Sequence, residues 1–500
     1  MSSTPNIIRT DPLSKDICFD ARSETTNKSF VSTRVANSMY NTYSGTTSDL
    51  RITGMVSTSS QYDGRLDNKT DPSTLGEGFD LNTLTVPNMY NRVAFGSFAI
   101  TGDQGIKKDI ILKATKEMCY SKNNLPVVYD VWGSTQSARN VGIDKPKEVT
   151  MPRDFSEEKV NGLLGGLERL KSRSKERGVG DMRLTMTVGG WQFSNPFHQM
   201  VRDEKTRCDF TDGILDVLKR FPMFDELIVD WEYPGSCDPQ QGNQFSEDDT
   251  KFYSFLLKET REKMDKCDLG RIELNITLPG TVDQLKRIDV RKITESGVRN
   301  IYLLTNNYFG DWKERELDHI SSINHIKPAV EHLLSLGVNS KCIHIEYSTH
   351  SRNVTNAKIE SPCPLKGTFE KTDKMIVGTF ESGVSSFNDI LVNYLDITSG
   401  KGKNGFQLYT DTRCDADFLY NHQSKVFISL DTPRTVRAKG DYVREKKLGG
   451  LFNLSISYDA SGLLLNAACE GLGLKVEKQT IDMSKLYYKG LTQSITTPQQ

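Results

Sequence analysis

The chain has 500 residues, a length that predicts two or three domains or one large α/β barrel with insertions and excludes a small module. Its 64 Lys and Arg nearly cancel its 65 Asp and Glu, so no net field draws it to phosphate backbones or anionic membranes, and nucleic acid is not an expected partner. Hydrophobic residues make up 36% and glycine adds 38 positions, a composition suited to an ordinary folded protein.

No apolar run reaches the length of a membrane span, and the start, MSSTPNIIRTDPLSKDICFD, lacks a basic segment followed by an apolar stretch. No membrane span and no signal peptide are expected, which places the chain in the cytoplasm at synthesis. The nine cysteines are scattered without a C-x-x-C pair, so free thiols are expected. The seven histidines form no H-E-x-x-H spacing, and no metal or cofactor is expected. Gly189-Gly190 reads as a turn at a strand end, without phosphate-loop context.

Residues 1–50 are rich in Ser, Thr and Asn with little periodicity and read as an irregular extension. From Arg51, short β-type runs alternate with amphipathic stretches, the pattern of βα units around a parallel sheet. The predicted strands are 51–57, 92–98, 127–131, 183–188, 227–231, 272–278, 300–305, 342–347 and 450–456, with 127–131 set aside as a loop extension to leave eight. Helices are predicted over 156–172, 204–220, 248–264, 326–336 and 463–471, where apolar residues recur every three or four positions. Eight such units fit a (β/α)8 TIM barrel over 51–475 better than a doubly wound sheet. A small α+β insertion is predicted at about 353–447, before the eighth strand, with strand-like pieces at 375–380, 405–409 and 425–430. Residues 476–500 read as a polar tail.

The segment that carries chemistry is Phe224-Asp225-Glu226-Leu227-Ile228-Val229-Asp230-Trp231-Glu232-Tyr233-Pro234. On a strand, Ile228, Asp230 and Glu232 share one face and Leu227, Val229 and Trp231 the other, which sets the two acids about 6.5–7 Å apart along the chain. Two acids pointing inward at the carboxyl end of a barrel strand lie where barrel enzymes keep their catalysts. Burial and a like neighbour raise a carboxyl pKa, preparing one of them to donate a proton. The alternative is an exposed acidic turn before Pro234.

This segment resembles the D-x-x-D-x-D-x-E-Tyr-Pro signature of family 18 glycoside hydrolases, the chitinases. Thr187-Val188-Gly189-Gly190-Trp191 resembles the family's S-x-G-G-W strand, and residues 52–65 and 91–102 its first two strands. Residues 304–312 match the place of its M-x-Y-D motif, and 428–434 with 449–452 the approach to its eighth strand. The insertion, with Gly378-Thr379-Phe380-Glu381-Ser382-Gly383, is most similar to chitinases that travel with bacterial insecticidal toxin complexes. The resemblance implies Glu232 as general acid and Asp230 as the group orienting the substrate's acetamido oxygen, which attacks the anomeric carbon with net retention. It further implies substrate contacts from Asp225, Thr187, Trp191, Asn306, Asn307, Tyr233, Trp312 and the position of Leu454. The implied partners are chitin or another N-acetylglucosamine glycan and other subunits of a toxin complex, and the implied exit from the cell is a non-classical route.

Several positions depart from the family pattern. Ile228 stands where an acid would neighbour Asp230, Asn306 and Asn307 replace the Tyr and Asp of M-x-Y-D, Thr187 replaces Ser, and Leu454 replaces the tryptophan on which the distorted sugar stacks. One lost donor typically costs about 10²–10³-fold in rate, and a lost aromatic face about 0.5–1.5 kcal/mol. Two readings follow: a chitinase cleaving β-1,4-linked N-acetylglucosamine, and a chitinase-like lectin that binds the glycan without cutting it. An adaptor role in a larger assembly is compatible with either. Trp132 and Trp312, near strand ends, are read either as sugar-stacking positions or as loop packing.

Overall fold

The computed structural model describes residues 6–8, 36–44, 50–62, 77–85, 90–148, 155–176, 182–236, 243–312, 315–379 and 381–493. Asp63, Gly64 and Arg65 of the first-strand loop, Phe380, the thiols of Cys18 and Cys237, and residues 9–35 and 494–500 lie outside the described residues. Eight parallel strands close into a barrel: β1 (Arg51–Ser57), β2 (Arg92–Ile100), β3 (Arg183–Gly189), β4 (Phe224–Asp230), β5 (Glu273–Pro279), β6 (Asn300–Leu304), β7 (Ile343–Glu346) and β8 (Gly450–Asn453). The ring closes through two parallel pairings, Gly450 opposite Arg51 and Thr53 opposite Arg92. The expected TIM barrel is the architecture.

Helices wrap the barrel where the three-and-four spacing placed them, except that the one predicted from 156 runs Gly162–Glu176, because Val160 is extended and ends a separate short turn. The helix Glu204–Arg220 is capped by Asp203, whose carboxylate accepts the Thr206 N–H at 3.0 Å, and it buries Phe210, Ile214 and Leu218. Such capping satisfies a backbone donor that the first turn leaves free. The stretch at 127–131, set aside as a loop, contains Pro126–Val128, which pairs antiparallel with the end of β2 outside the closed ring.

Inside the barrel the side chains form layers. At the base, Glu226 is fully buried and accepts hydrogen bonds from Arg51 at 3.1 Å and Arg92 at 2.9 Å, while Arg51 and Arg183 also reach Glu273. Above it Ile228, Tyr302, Leu304 and Phe452 make an apolar layer. Asp230 stands one pleat higher, so the hydrocarbon layer separates the base charges from the acids at the mouth.

The segment between β7 and β8 carries a four-stranded antiparallel sheet in the order Arg352–Val354, Val426–Leu430, Ala416–Asn421, Phe406–Asp411. Its own core includes Phe309, Phe369, Tyr409, Phe418 and Phe427. Two expectations are corrected here. Residues 375–379 form no strand, because their backbone groups are taken by side chains and by the loop that follows: Ser382 accepts from the Ile376 N–H at 2.9 Å, Asn353 donates to the Val377 carbonyl at 2.7 Å, and the Thr379 N–H donates to the Val384 carbonyl at 2.8 Å. The insertion also stops short of 447, since Pro433–Lys446 is a helix packed between β8 and the helix Leu463–Gly471 on the barrel wall.

The two polar ends are corrected as well. Thr42–Ser44 pairs antiparallel with Lys475–Lys478, and Met39, Tyr40 and Tyr43 are buried in the main core. In the expected tail Ile481, Met483 and Leu486 are buried, and Leu491 exchanges backbone hydrogen bonds with Leu408 and Thr410 of the inserted sheet. The polar composition conceals these segments because only a few apolar side chains, Met39, Tyr40, Tyr43, Ile481, Met483 and Leu486 among them, anchor each one.

Candidate active site

Strand β4 delivers its alternation as expected. Trp231, on the outward face, is sandwiched by Phe197 at 5.5 Å and Tyr253 at 5.2 Å. This packing fixes the strand end, so that Asp230 and Glu232 turn to the barrel mouth, where both are buried. The turn after β3 approaches closely: the Gly190 N–H donates to the Asp230 carbonyl at 2.7 Å, and a Cβ on Gly189, at φ +100°, would fall 2.3 Å from that oxygen. Only glycine fits there without strain. Ser194 ties the same corner, accepting from the Glu232 N–H at 2.9 Å and donating to the Gly190 carbonyl at 2.9 Å.

The electrostatics follow from dryness and from like charge. Burial raises the Asp230 carboxyl to about 6, opposed by the Thr277 hydroxyl, which donates to it at 2.5 Å. Glu232 is pushed well above the usual carboxylate range, first by burial, then by Asp230 and, to a lesser degree, by Glu346. Hydrogen bonds from the Tyr233 hydroxyl and the Trp191 N–H oppose that rise. The pair releases its protons as a unit, with Glu232 the better proton keeper. One carboxylate and one carboxylic acid, adjacent in a dry pocket, are equipped to donate a proton to a leaving oxygen while stabilising a nearby positive charge.

The remaining predicted residues divide. Thr187 lies opposite Ile228 in the β3–β4 register and lines a small cavity under Asp230 with Thr277, Tyr302 and Leu454; its buried hydroxyl has no hydrogen-bond partner among the described residues. Tyr233 and Trp191 touch Glu232 as described above. Asp225 does not join them: it accepts from Lys171 at 2.5 Å and from the Leu184 N–H at 3.0 Å, on the outward face of β4 near its start. The strand period itself puts 225 on the face opposite 228 and 230.

Asn306 and Asn307 part ways. Asn306 donates to Glu346 at 3.3 Å, whereas Asn307, with φ +58°, faces outward and accepts from Arg352 at 2.8 Å. Arg352 also lies over the Trp312 ring at 4.8 Å, covering one face of it. Trp132 stacks on Tyr62 at 5.9 Å and 11°. Trp132, Trp191, Trp312 and Leu454 are all exposed around the mouth.

Three residues of the site were not anticipated: Thr277 at the end of β5, Ser194 after β3, and Glu346 at the end of β7. All three are buried. Burial raises Glu346 to about 8. Away from this mouth, His319, Asp411 and Cys414 bring one ligand atom each within 4.8 Å of one another and could hold a metal ion. The Asp411 carboxylate there already accepts from His319 at 3.1 Å and the Leu365 N–H at 2.8 Å.

Comparison with known proteins agrees with this geometry. Residues 94–459 match the glycosyl hydrolases family 18. The chain is 34% identical to "Chitinase 2" of Yersinia entomophaga, covering 95% of this chain and 80% of that one. It is 33% identical to "Chitinase 1" of the same organism, covering 91% and 86%. Among solved structures, the chitinase Chi1 fitted into the three-dimensional structure of the Yersinia entomophaga toxin complex aligns with a TM-score of 0.86 and 30% identity over 95% of both chains. A match that runs through six of the eight barrel strands in full, together with relatives that align over nearly the whole chain, leads to one conclusion: this protein belongs to family 18 of the glycosyl hydrolases.

Proposed function

We propose that the chain is a chitinase that cleaves β-1,4-linked N-acetylglucosamine by substrate assistance. Glu232 protonates the glycosidic oxygen, and Asp230 orients the acetamido group and stabilises the positive charge as its carbonyl oxygen attacks the anomeric carbon. The observation that carries this reading is the buried Asp230–Glu232 pair at the carboxyl end of β4, in which the residue placed to donate is the one that keeps its proton longer. Release of product from fluorogenic chitooligosaccharides tests it: no release above a Glu232→Gln control, across a wide pH range, overturns the reading.

The pH dependence has a definite sign. Hydrolysis requires Asp230 ionised and Glu232 protonated. The rate therefore rises as pH passes through about 6, where Asp230 loses its proton, and falls on the alkaline side as Glu232 ionises. A pH profile of kcat/KM checks both limbs; a rate that falls steadily from pH 5 upward contradicts the assignment.

One observation favours a second reading, in which the groove binds chitin without cutting it. Leu454, with 38% of its surface exposed, offers no aromatic face for the sugar. Retention on chitin by a protein that releases no product supports it.

We also propose that the protein acts as a subunit of a toxin complex. Its likeness to Chi1 spans 95% of both chains. Purification from its native source should yield the chain together with larger partner proteins; recovery at the mass of a single chain refutes this.

A further inference from the structure

Strand β7 ends on an acid that the signature on β4 does not announce. Ile343 and Ile345 face outward into the core, so His344 and Glu346 face into the barrel. The His344 ring stacks on Tyr302 at 5.0 Å in the apolar layer, and Glu346 stands one pleat above it at the mouth, 1% exposed. Its backbone is held on both sides by one hydroxyl: the Glu346 N–H donates to Thr305 Oγ1 at 2.7 Å, and that hydroxyl donates to the Glu346 carbonyl at 3.1 Å. Its carboxyl accepts from Asn306 Nδ2 at 3.3 Å.

We propose that Glu346 is a positioning residue of this site: in place of the acid missing at Ile228, it is the third carboxyl that keeps the transferable proton on Glu232. The inference rests on the hydrolase reading for its consequence in catalysis, but not for its electrostatics.

Among the described residues, the titratable groups facing Glu346 are few. On β4 and just beyond it are Asp230, Glu232 and Tyr233; after β6 there is Tyr308. Behind it lie Asp431 and Lys439, which form a buried ion pair with each other and so largely cancel at a distance. Burial and the neighbouring carboxylates raise both tyrosines well above the working range, leaving them neutral. Three buried acids therefore face the same barrel mouth, and like charges that interact in a dry site do not all ionise together. Asp230 ionises first. Once Glu346 ionises, near pH 8, its charge opposes the ionisation of Glu232 and extends the pH range over which Glu232 can donate. Removing the charge has the opposite sign: Glu232 then loses its proton at lower pH.

The test compares the full-length chain with Glu346→Gln and Glu346→Asp. Two measurements are made: kcat/KM against pH on a fluorogenic chitooligosaccharide, and the carboxyl ¹³C titration of Glu232 in the ligand-free protein, its resonance identified by its loss in Glu232→Gln. In Glu346→Gln the alkaline limb and the Glu232 titration should both move down by about one pH unit. Glu346→Asp, with its charge one methylene farther away, should lie between the two. An unmoved Glu232 titration in Glu346→Gln overturns the proposal, and if that variant does not fold, an unmoved titration in Glu346→Asp does the same. Should the wild-type chain cleave nothing, the hydrolase reading fails while the carboxyl titration still decides the role of Glu346.

Discussion

Replacing Glu232 by Gln should lower kcat on chitooligosaccharides by about 10²–10⁴-fold, the usual contribution of a positioned general acid. The amide has the same shape, and its oxygen can still accept from the Tyr233 hydroxyl and the Trp191 N–H that now reach the carboxyl. Its nitrogen holds no proton acidic enough for a departing sugar oxygen. The backbone hydrogen bond from Glu232 to Ser194 is untouched. The variant should therefore unfold no earlier than the parent in a thermal melt and should still be retained on chitin. A loss below tenfold would remove Glu232 from the role of acid, and loss of chitin retention would mean that the substitution had disturbed the groove.

Replacing Glu226 by Gln should cost about 3–5 kcal/mol of stability, because removing one partner of a buried pair leaves the other charges uncompensated. Glu226 is fully buried at the barrel base, between Arg51 and Arg92, with Thr185 at 3.3 Å. Arg51 keeps Glu273 as a partner. Arg92 has no other acid among its described contacts and would keep only the Asn91 amide oxygen, to which it already donates at 3.1 Å. The layer of Ile228, Tyr302 and Phe452 stands between this base and the acids at the mouth, so activity per folded molecule should change little. Urea unfolding followed by fluorescence measures the first effect and kcat at low temperature the second. An unchanged urea midpoint would show that the network is dispensable.

The barrel and its acid pair were legible because both rest on short-range periods. Alternation along β4 places Asp230, Ile228 and Trp231 on their observed faces from sequence alone, and the three-and-four spacing of 204–220 gives that helix its observed limits. The same alternation assigns Asp225 to the outward face, yet the family signature carried it into the site; there the local period was the better guide. Glu346 escaped notice because its strand is four residues long, reading His-Ile-Glu after one isoleucine, too short for a period to stand out. Its place at the mouth depends on β6 and β8 pairing beside it and on β4 lying across the ring, which no local pattern encodes. The end segments misled for a related reason. Tyr43 is buried through contacts with residues more than four hundred positions away, including Asn466 and Glu470. Composition averaged over fifty residues cannot register one such anchor.

That long reach has a consequence for how the molecule moves. The carboxyl end runs from Lys475, beside residues 42–44, to Leu491, whose backbone joins the outer strand of the inserted sheet. It acts as a clasp, fastening the inserted sheet to the helix Leu463–Gly471 that follows β8. Any displacement of the strand Phe406–Asp411 pulls on this clasp through the two Leu491 backbone hydrogen bonds. The inserted sheet is thereby tied to the chain's amino-terminal anchor, and a break near Lys475 should loosen both attachments at once.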